Sequence, residues 1–334
     1  MSSDLKQLFK PITADMDAVS VLINQSVRQA STSPAVRQVL DDILEVPGKR
    51  LRPALALFAY YSLRKNNKND RNSIRLAAAI ELIHMASLIH DDMIDHAETR
   101  HNKPAVHARW GQDIAIPAGV FLYSIALSLI SEIQNQGVLR CISHTVKQLC
   151  EGEIRQVFKR NGDLISIPHY LLVLKKKTGV LFSAASTCGA YLALDTPVRT
   201  ESVLALKQFG KNLGVVFQIA DDYLDVKGNS EALGKKAGQD FLEGDVTLPL
   251  LYLIDNTPEP QKTALLAHMQ ARTLDGFSVV QRALLDCKPA KDNTKTMAFH
   301  FLEKAKTELG QLPKSVFKTA LEQLTAVIQK RGFD

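Results

Sequence analysis

The chain has 334 residues, 46% hydrophobic and 23% charged, with 17 glycines and 13 prolines, which is close to the globular average. That length suits one large core or two ordinary domains. The net charge of +6 is mild and no dense Lys/Arg run carries interleaved aromatics, which argues against nucleic acid but leaves phosphates and acidic lipid headgroups open as partners.

The N-terminal MSSDLKQLFKPITADMDAV lacks the apolar stretch of a signal peptide. Beyond it apolar residues recur mostly at helical spacing, and alternating strand-like runs are scarce. The pattern predicts helices near 12–29, 34–45, 51–65, 73–95, 115–132, 138–160, 168–193, 201–226, 246–256, 293–311 and 314–331. Breaks are expected at Pro47-Gly48, the polar NNKND at 66–70, Gly162, Pro197, Pro258, Pro289 and Pro313. With no long linker and no repeat, residues 1–334 read as one all-α domain. Segment 114–130, IAIPAGVFLYSIALSLI, is uncharged, but Pro117 and Gly119 interrupt it and 17 residues fall short of a comfortable membrane span. It is expected to be a buried core helix. Cys141, Cys150, Cys188 and Cys287 show no CxxC pairing and read as buried, reduced thiols of a cytoplasmic protein.

Helix 73–95 is apolar nearly all round, with Glu81 the only charge between Leu76 and Ile89, so it belongs in the middle of a bundle. It nevertheless ends in HDDMID. Asp91 and Asp95, four apart, share one helix face with Cβ atoms about 5–6 Å apart. His84 lies two turns before Asp91 on almost the same line. DDYLD repeats the spacing at Asp221, Asp222 and Asp225 after another apolar run, where Gly210 and Gly214 would let a second helix approach closely. Unneutralised, each close carboxylate pair costs roughly 4 kcal/mol at an effective dielectric of 20. A hard divalent cation shared with substrate phosphates answers that repulsion, since Mg²⁺ commonly takes one or two carboxylates and phosphate oxygens. Neither cluster has the loop of an EF-hand, and zinc is disfavoured because His84 and His90 lie on different helix faces. Candidate phosphate ligands are Lys49, Arg50 and Arg52 in GKRLRP at a helix start, Arg100 after the first cluster, Lys177-Thr178, and Lys235-Lys236 after the second.

Taken together, GKRLRP, ELIHMASLIHDDMIDHAETR, GEIRQ (152–156), KKTGVLFSAAS (176–186), FGKNLGVVFQIADDYLD and LGKKAGQDFLEGDVTLPLL (233–251) resemble the trans-isoprenyl diphosphate synthases, or polyprenyl synthetases, over most of the chain. The resemblance implies an all-α helical bundle around a deep central cavity, usually a homodimer, that extends an allylic diphosphate with isopentenyl diphosphate. It implies Mg²⁺, three ions per site, at Asp91, Asp95, Asp221 and Asp225. Lys49, Arg52 and His84 match positions that hold isopentenyl diphosphate. Arg100, Lys177, Thr178, Gln218 and Lys235 match those around the allylic diphosphate, which is ionised while the released diphosphate takes up the proton.

The chain departs from the family's Arg-Arg-Gly after the first cluster, reading Arg100-His101-Asn102-Lys103. The resemblance leaves open whether His101 weakens the grip on isopentenyl diphosphate or Lys103 replaces it. In the family, bulky residues just before the first cluster stop the growing product. Here Ala86 and Ser87 stand there, with Ala77, Ala78 and Ala79 further back, which predicts a hexaprenyl to decaprenyl product unless Phe121, Tyr123 or Leu129 closes the path earlier. A shorter-chain synthase, a terpene cyclase or head-to-head synthase, and a non-catalytic subunit of a heteromer are the alternatives. GKRLRP and two intact clusters favour elongation. Contact with membrane would be transient, for product release.

Overall fold

The computed structural model describes residues 3–45, 48–64, 70–101, 103–160, 165–195, 200–228 and 237–333. In chain order they form α1 (Ser3–Phe9), a 3₁₀ turn (Lys10–Ile12), α2 (Thr13–Gln29), α3 (Pro34–Leu44), α4 (Leu51–Leu63) and α5 (Arg71–Ile94). A hairpin of β1 (Thr99–Arg100) and β2 (Lys103–Pro104) follows, then α6 (Val106–Trp110), α7 (Gln112–Ser131), α8 (Gln136–Lys159) and α9 (Ile167–Leu174). A π-helical turn (Lys175–Gly179) joins α9 to α10 (Val180–Leu194), and α11 (Glu201–Lys227) comes next. The remainder is α12 (Gln239–Glu243), α13 (Leu248–Asp255), α14 (Gln261–Ala271), α15 (Leu274–Asp286), α16 (Lys288–Leu309) and α17 (Val316–Phe333). The all-α expectation holds: among the described residues the two-residue strands are the whole of the sheet.

Two compact units emerge. The first is Met1–Thr145, Leu181–Gly210 and Glu308–Leu324; the second is Val146–Val180, Lys211–Thr307 and Thr325–Asp334. Within the first, α5 is central, packed against α2, α4 and α7. Asp70 caps it, its side chain accepting from the Asn72 N–H at 2.9 Å. Leu76 through Ile83 are all buried, Glu81 included, as its all-round apolarity predicts. The close approach expected at Gly210 is real: a Cβ there would stand 2.4 Å from the Phe182 carbonyl on α10. The second unit has its own core, in which Val226 of α11, Phe241 of α12 and Leu250 of α13 pack with Phe277, Val280 and Leu284 of α15.

Several expectations need correction. Segment 114–130 is not a buried core helix. One face of α7 is buried through Ala115, Gly119, Leu122, Ala126 and Ile130, while Ile114, Ile116, Val120 and Leu127 remain exposed. By length and composition α5 and α7 could each cross a membrane, with 61% and 44% of the apolar window buried. Of the four free cysteines, Cys188 is buried, Cys141 and Cys287 are half-buried and Cys150 is exposed. Pro289 does not break a helix but sits in the first turn of α16, where its missing N–H has no intrahelical acceptor to lose. Pro258 and Pro313 fall between helices as expected, whereas Pro47, residues 66–69, Gly162 and Pro197 lie outside the described residues.

Candidate active site

In the first unit α5 delivers the HDDMID cluster. Asp91 occupies the last turn, and Asp95 is the C-cap, its N–H donating to the Asp91 carbonyl at 2.8 Å. Both are half-buried; Asp92 between them is 5% exposed. Asp92 is held by Arg100, whose Nε lies 2.9 Å from each carboxylate oxygen and whose NH2 completes the pair. Burial works against the charge on Arg100, but Asp92, then Asp91 and Asp95, outweigh it and hold the guanidinium more firmly protonated than usual.

Arg52, on α4, places NH1 2.8 Å from His84 Nε2 and its guanidinium 4.5 Å over the Phe182 ring. Burial, then the charges of Arg52, Arg100 and His101, keep His84 well below the ordinary histidine range. With Nε2 accepting from Arg52, the single proton of a neutral His84 sits on Nδ1. The hairpin register pairs Arg100 with Lys103, and His101, which follows Arg100, has φ 49°. Burial and the neighbouring Arg100 and Lys49 depress His101, which favours its neutral form. Lys103 pairs with Glu45 at 2.8 Å, with both side chains exposed. Asn102 lies outside the described residues. Lys49, Arg52, His84, Arg100 and His101 thus share one electrostatic neighbourhood beside Asp91 and Asp95.

His90 turns to another face, as its spacing from His84 predicts. Its Nε2 lies 3.2 Å from the Ile116 carbonyl, and its ring lies 6.0 Å from that of Tyr123. Ala86 is fully buried, and the Ser87 hydroxyl donates back to the His84 carbonyl at 2.8 Å. Glu81, one turn before His84, is 3% exposed and stands beside Gly48, where a Cβ would be 3.4 Å from its Oε1. Sequence reading saw Glu81 only as a lone charge; its nearness to the GKRLRP segment needs the fold.

In the second unit the π turn presents Lys177 and Thr178, and π bulges of this kind cluster at functional sites. Gly152, from GEIRQ, makes room for that turn: a Cβ there would stand 2.9 Å from the Lys177 backbone nitrogen. Lys177 Nζ pairs with Glu153 at 2.8 Å. The Thr178 hydroxyl donates to Gln218 Oε1 at 2.8 Å, and Gln218 Nε2 donates to Asp222 at 2.8 Å. The Tyr170 hydroxyl donates to the other Asp222 oxygen at 2.6 Å. Burial first, then Asp240, push Asp222 up to about 7. Asp225 is fully buried, whereas Asp221 is partly exposed beside Arg331, 2.8 Å away. Tyr170 and Arg331 carry no motif signal and are brought in from distant parts of the chain, whereas Glu153 lies within GEIRQ. Lys235 and Lys236 lie outside the described residues.

The clusters share one feature and differ in another. In both, the middle aspartate is engaged by a side chain from elsewhere in its unit, and the i, i+4 pair flanks it. Asp221 is paired with Arg331 and Asp225 is fully buried, whereas Asp91 and Asp95 are half-buried. Among the described residues no three His, Cys, Asp or Glu side chains form a ready-made metal cage. An oxygen-only donor set of paired carboxylates fits Mg²⁺, which completes its octahedron with phosphates and water, and does not fit zinc.

Comparison with known proteins agrees with the all-α fold. Heptaprenyl diphosphate synthase component 2 of Geobacillus stearothermophilus is 32% identical over 333 residues, covering 98% of this chain and 99% of the relative. A geranylgeranyl diphosphate synthase of Methanosarcina mazei is 33% identical over 296 residues, covering 87% and 88%. The crystal structure of a polyprenyl synthase from Caulobacter crescentus, complexed with calcium and isoprenyl diphosphate, superposes with a TM-score of 0.90 at 32% identity, covering 98% of each chain. The polyprenyl synthetase family model matches residues 33–284, and on these grounds the chain belongs to the polyprenyl synthetase family.

Proposed function

We propose that this prenyltransferase condenses isopentenyl diphosphate with an allylic diphosphate, farnesyl or geranylgeranyl, to give an all-trans polyprenyl diphosphate of hexaprenyl to decaprenyl length. The observation that carries the reading is the pair of guanidiniums of Arg52 and Arg100, with neutral His84 and His101, beside the Asp91–Asp95 pair. Lys49, Arg52 and His84 hold isopentenyl diphosphate; neutral His84 keeps the Arg52 guanidinium aimed. Arg100, Lys177, Thr178, Gln218 and Lys235 grip the allylic diphosphate, with Arg100 oriented by Asp92 and Thr178 by Gln218. Asp91 and Asp95 in the first unit, and Asp221 and Asp225 in the second, would hold Mg²⁺, which would supply positive charge against the departing diphosphate. These residues make ionisation of the allylic C–O bond easier by fixing positive charge before the reaction starts. The isopentenyl double bond then attacks the cation, and the released diphosphate takes up the proton lost as the trans double bond forms. Apolar walls around the buried Ala86 keep water from quenching the cation.

On this reading residues 1–334 work as one catalytic domain in a cytoplasmic homodimer, and the exposed apolar face of α7 supplies a contact surface. The long product is favoured by small Ala86 and Ser87, together with the heptaprenyl relative; the geranylgeranyl relative marks the shorter outcome. The name "component 2" of the Geobacillus relative favours a second reading, in which this chain needs a different subunit. Purified chain alone, given Mg²⁺, farnesyl diphosphate and labelled isopentenyl diphosphate, is expected to make labelled products of thirty carbons or more on chromatography. Geranylgeranyl diphosphate as the sole end product would overturn the chain length, and no incorporation without a second protein would overturn the homomeric enzyme.

A further inference from the structure

The end of α17 is seated residue by residue on the end of α11, within the second unit. Arg331 NH1 lies 2.8 Å from Asp221 Oδ1, and its guanidinium lies 4.7 Å over the Phe217 ring. Gly332 presses on Ala220 so closely that a Cβ there would stand 2.4 Å from the Ala220 Cβ. Phe333 stacks on Tyr223, centroids 5.8 Å apart, and meets Phe299 edge-on at 5.7 Å. Phe217, Ala220 and Asp221 follow i, i+3, i+4 spacing and share one face of α11. The seat is therefore built by three consecutive residues, two of which touch α11 only through apolar contact. Those two fix where the guanidinium can go.

Arginine stays charged at every physiological pH, and Asp221 belongs to a run of three carboxylates that repel one another. A guanidinium 2.8 Å from Asp221 relieves that repulsion when no divalent cation does. We propose that Arg331 is the internal counter-cation of the second aspartate cluster: it holds Asp221 until a divalent cation displaces it, so metal entry and the C-terminal seat compete for one carboxylate. This rests on Asp221 being a metal ligand. The pair is partly solvated, 18% and 23% exposed, which sets its strength. A partly exposed pair is worth up to about a fivefold factor in an equilibrium, enough to bias metal loading without blocking it.

The test is Mn²⁺ binding to the full chain without substrate, read by electron paramagnetic resonance of the free ion. Arg331→Gln is expected to tighten binding roughly twofold to fivefold. Gly332→Ala, which unseats the same turn without touching a charge, is expected to shift binding the same way, and Arg331→Lys to stay nearer wild type. Asp221→Asn should weaken binding. If Asp221→Asn weakens binding while both Arg331→Gln and Gly332→Ala leave it unchanged or weaker, the competition is wrong and the ligand assignment stands. If Asp221→Asn changes nothing, the ligand assignment falls and the inference with it. Thermal melts followed by circular dichroism identify a variant that fails to fold, in which case the other variant decides.

Discussion

Asp92 and Asp91 are chain neighbours with the same side chain, yet the fold gives them different work. Asp92 is buried and bidentate to Arg100, so its role is to aim a cation. Asp92→Asn keeps the shape but loses the charge that holds Arg100. It is expected to lower kcat/KM about 10-fold to 100-fold, with the Mg²⁺ concentration for half-maximal rate little changed. Asp91→Asn should move the Mg²⁺ dependence itself. Steady-state rates across an Mg²⁺ series separate the two, and a matching Mg²⁺ shift in Asp92→Asn would show that Asp92 is a ligand after all. Glu81 offers a pH test at the same scale. Burial is the main influence on its carboxyl and raises its pKa, with Arg50 and Arg52 opposing. A raised folded value means that the protein is relatively most stable where Glu81 is protonated in both states, and that this advantage is lost as pH rises through the folded value. Glu81→Gln should therefore gain stability over wild type as pH rises from about 4.5 to about 8. Urea denaturation at both pH values checks it; an equal difference at both would mean that Glu81 has no shifted titration.

At the scale of elements, helices with strong 3.6-residue periodicity were legible to within a few residues. The observed Pro34–Leu44 and Glu201–Lys227 fall where apolar spacing puts them. Elements lacking that signal were not. The hairpin at Thr99–Arg100 and Lys103–Pro104 is too short to alternate, and α12 is five residues long. α14 and α15 were missed, the first because its apolar residues define no clear face. The site shows the same division. Two DDxxD spacings announced both clusters, but spacing cannot say that the middle residue of each turns inward, because Tyr170 reaches Asp222 from 52 positions away. Nor can it show the π turn, which depends on Gly152. A methyl there would stand 2.9 Å from the Lys177 nitrogen and 3.0 Å from the Lys176 Cβ. Gly152→Ala would ordinarily favour a helix by about 1 kcal/mol. Here the methyl meets backbone that cannot swing away, so overpacking wins and stability is expected to fall by about 1–3 kcal/mol. Because the strained turn carries Lys177 and Thr178, kcat/KM should fall with it. A variant at least as stable as wild type, with unchanged kinetics, would show that the turn has slack.

At the scale of the whole molecule, the open question posed by α7 is what covers its outer face. Ile114, Ile116, Val120 and Leu127 are 41%, 47%, 57% and 47% exposed, and Leu139 at the start of α8 is 42% exposed. So much apolar surface on one helix calls for a partner, lipid or protein. The serines on this helix favour protein. Ser124, Ser128 and Ser131 turn their hydroxyls back to the carbonyls of Phe121, Ser124 and Ser128, at 2.7, 3.0 and 2.7 Å. That leaves a small, internally satisfied surface against which another helix can lie closely. A symmetric dimer uses the same patch twice, so a charge placed there appears twice and faces its own copy. Val120→Glu together with Leu127→Glu would bury four carboxylates in such an interface while leaving the inner face of α7, which packs on α5, untouched. Sedimentation velocity at micromolar concentration is expected to show wild type as a dimer and the double variant as a monomer with an unchanged circular dichroism spectrum. A double variant that still sediments as a dimer would place the interface elsewhere. A wild type that is monomeric alone but floats with lipid vesicles would assign the face to membrane.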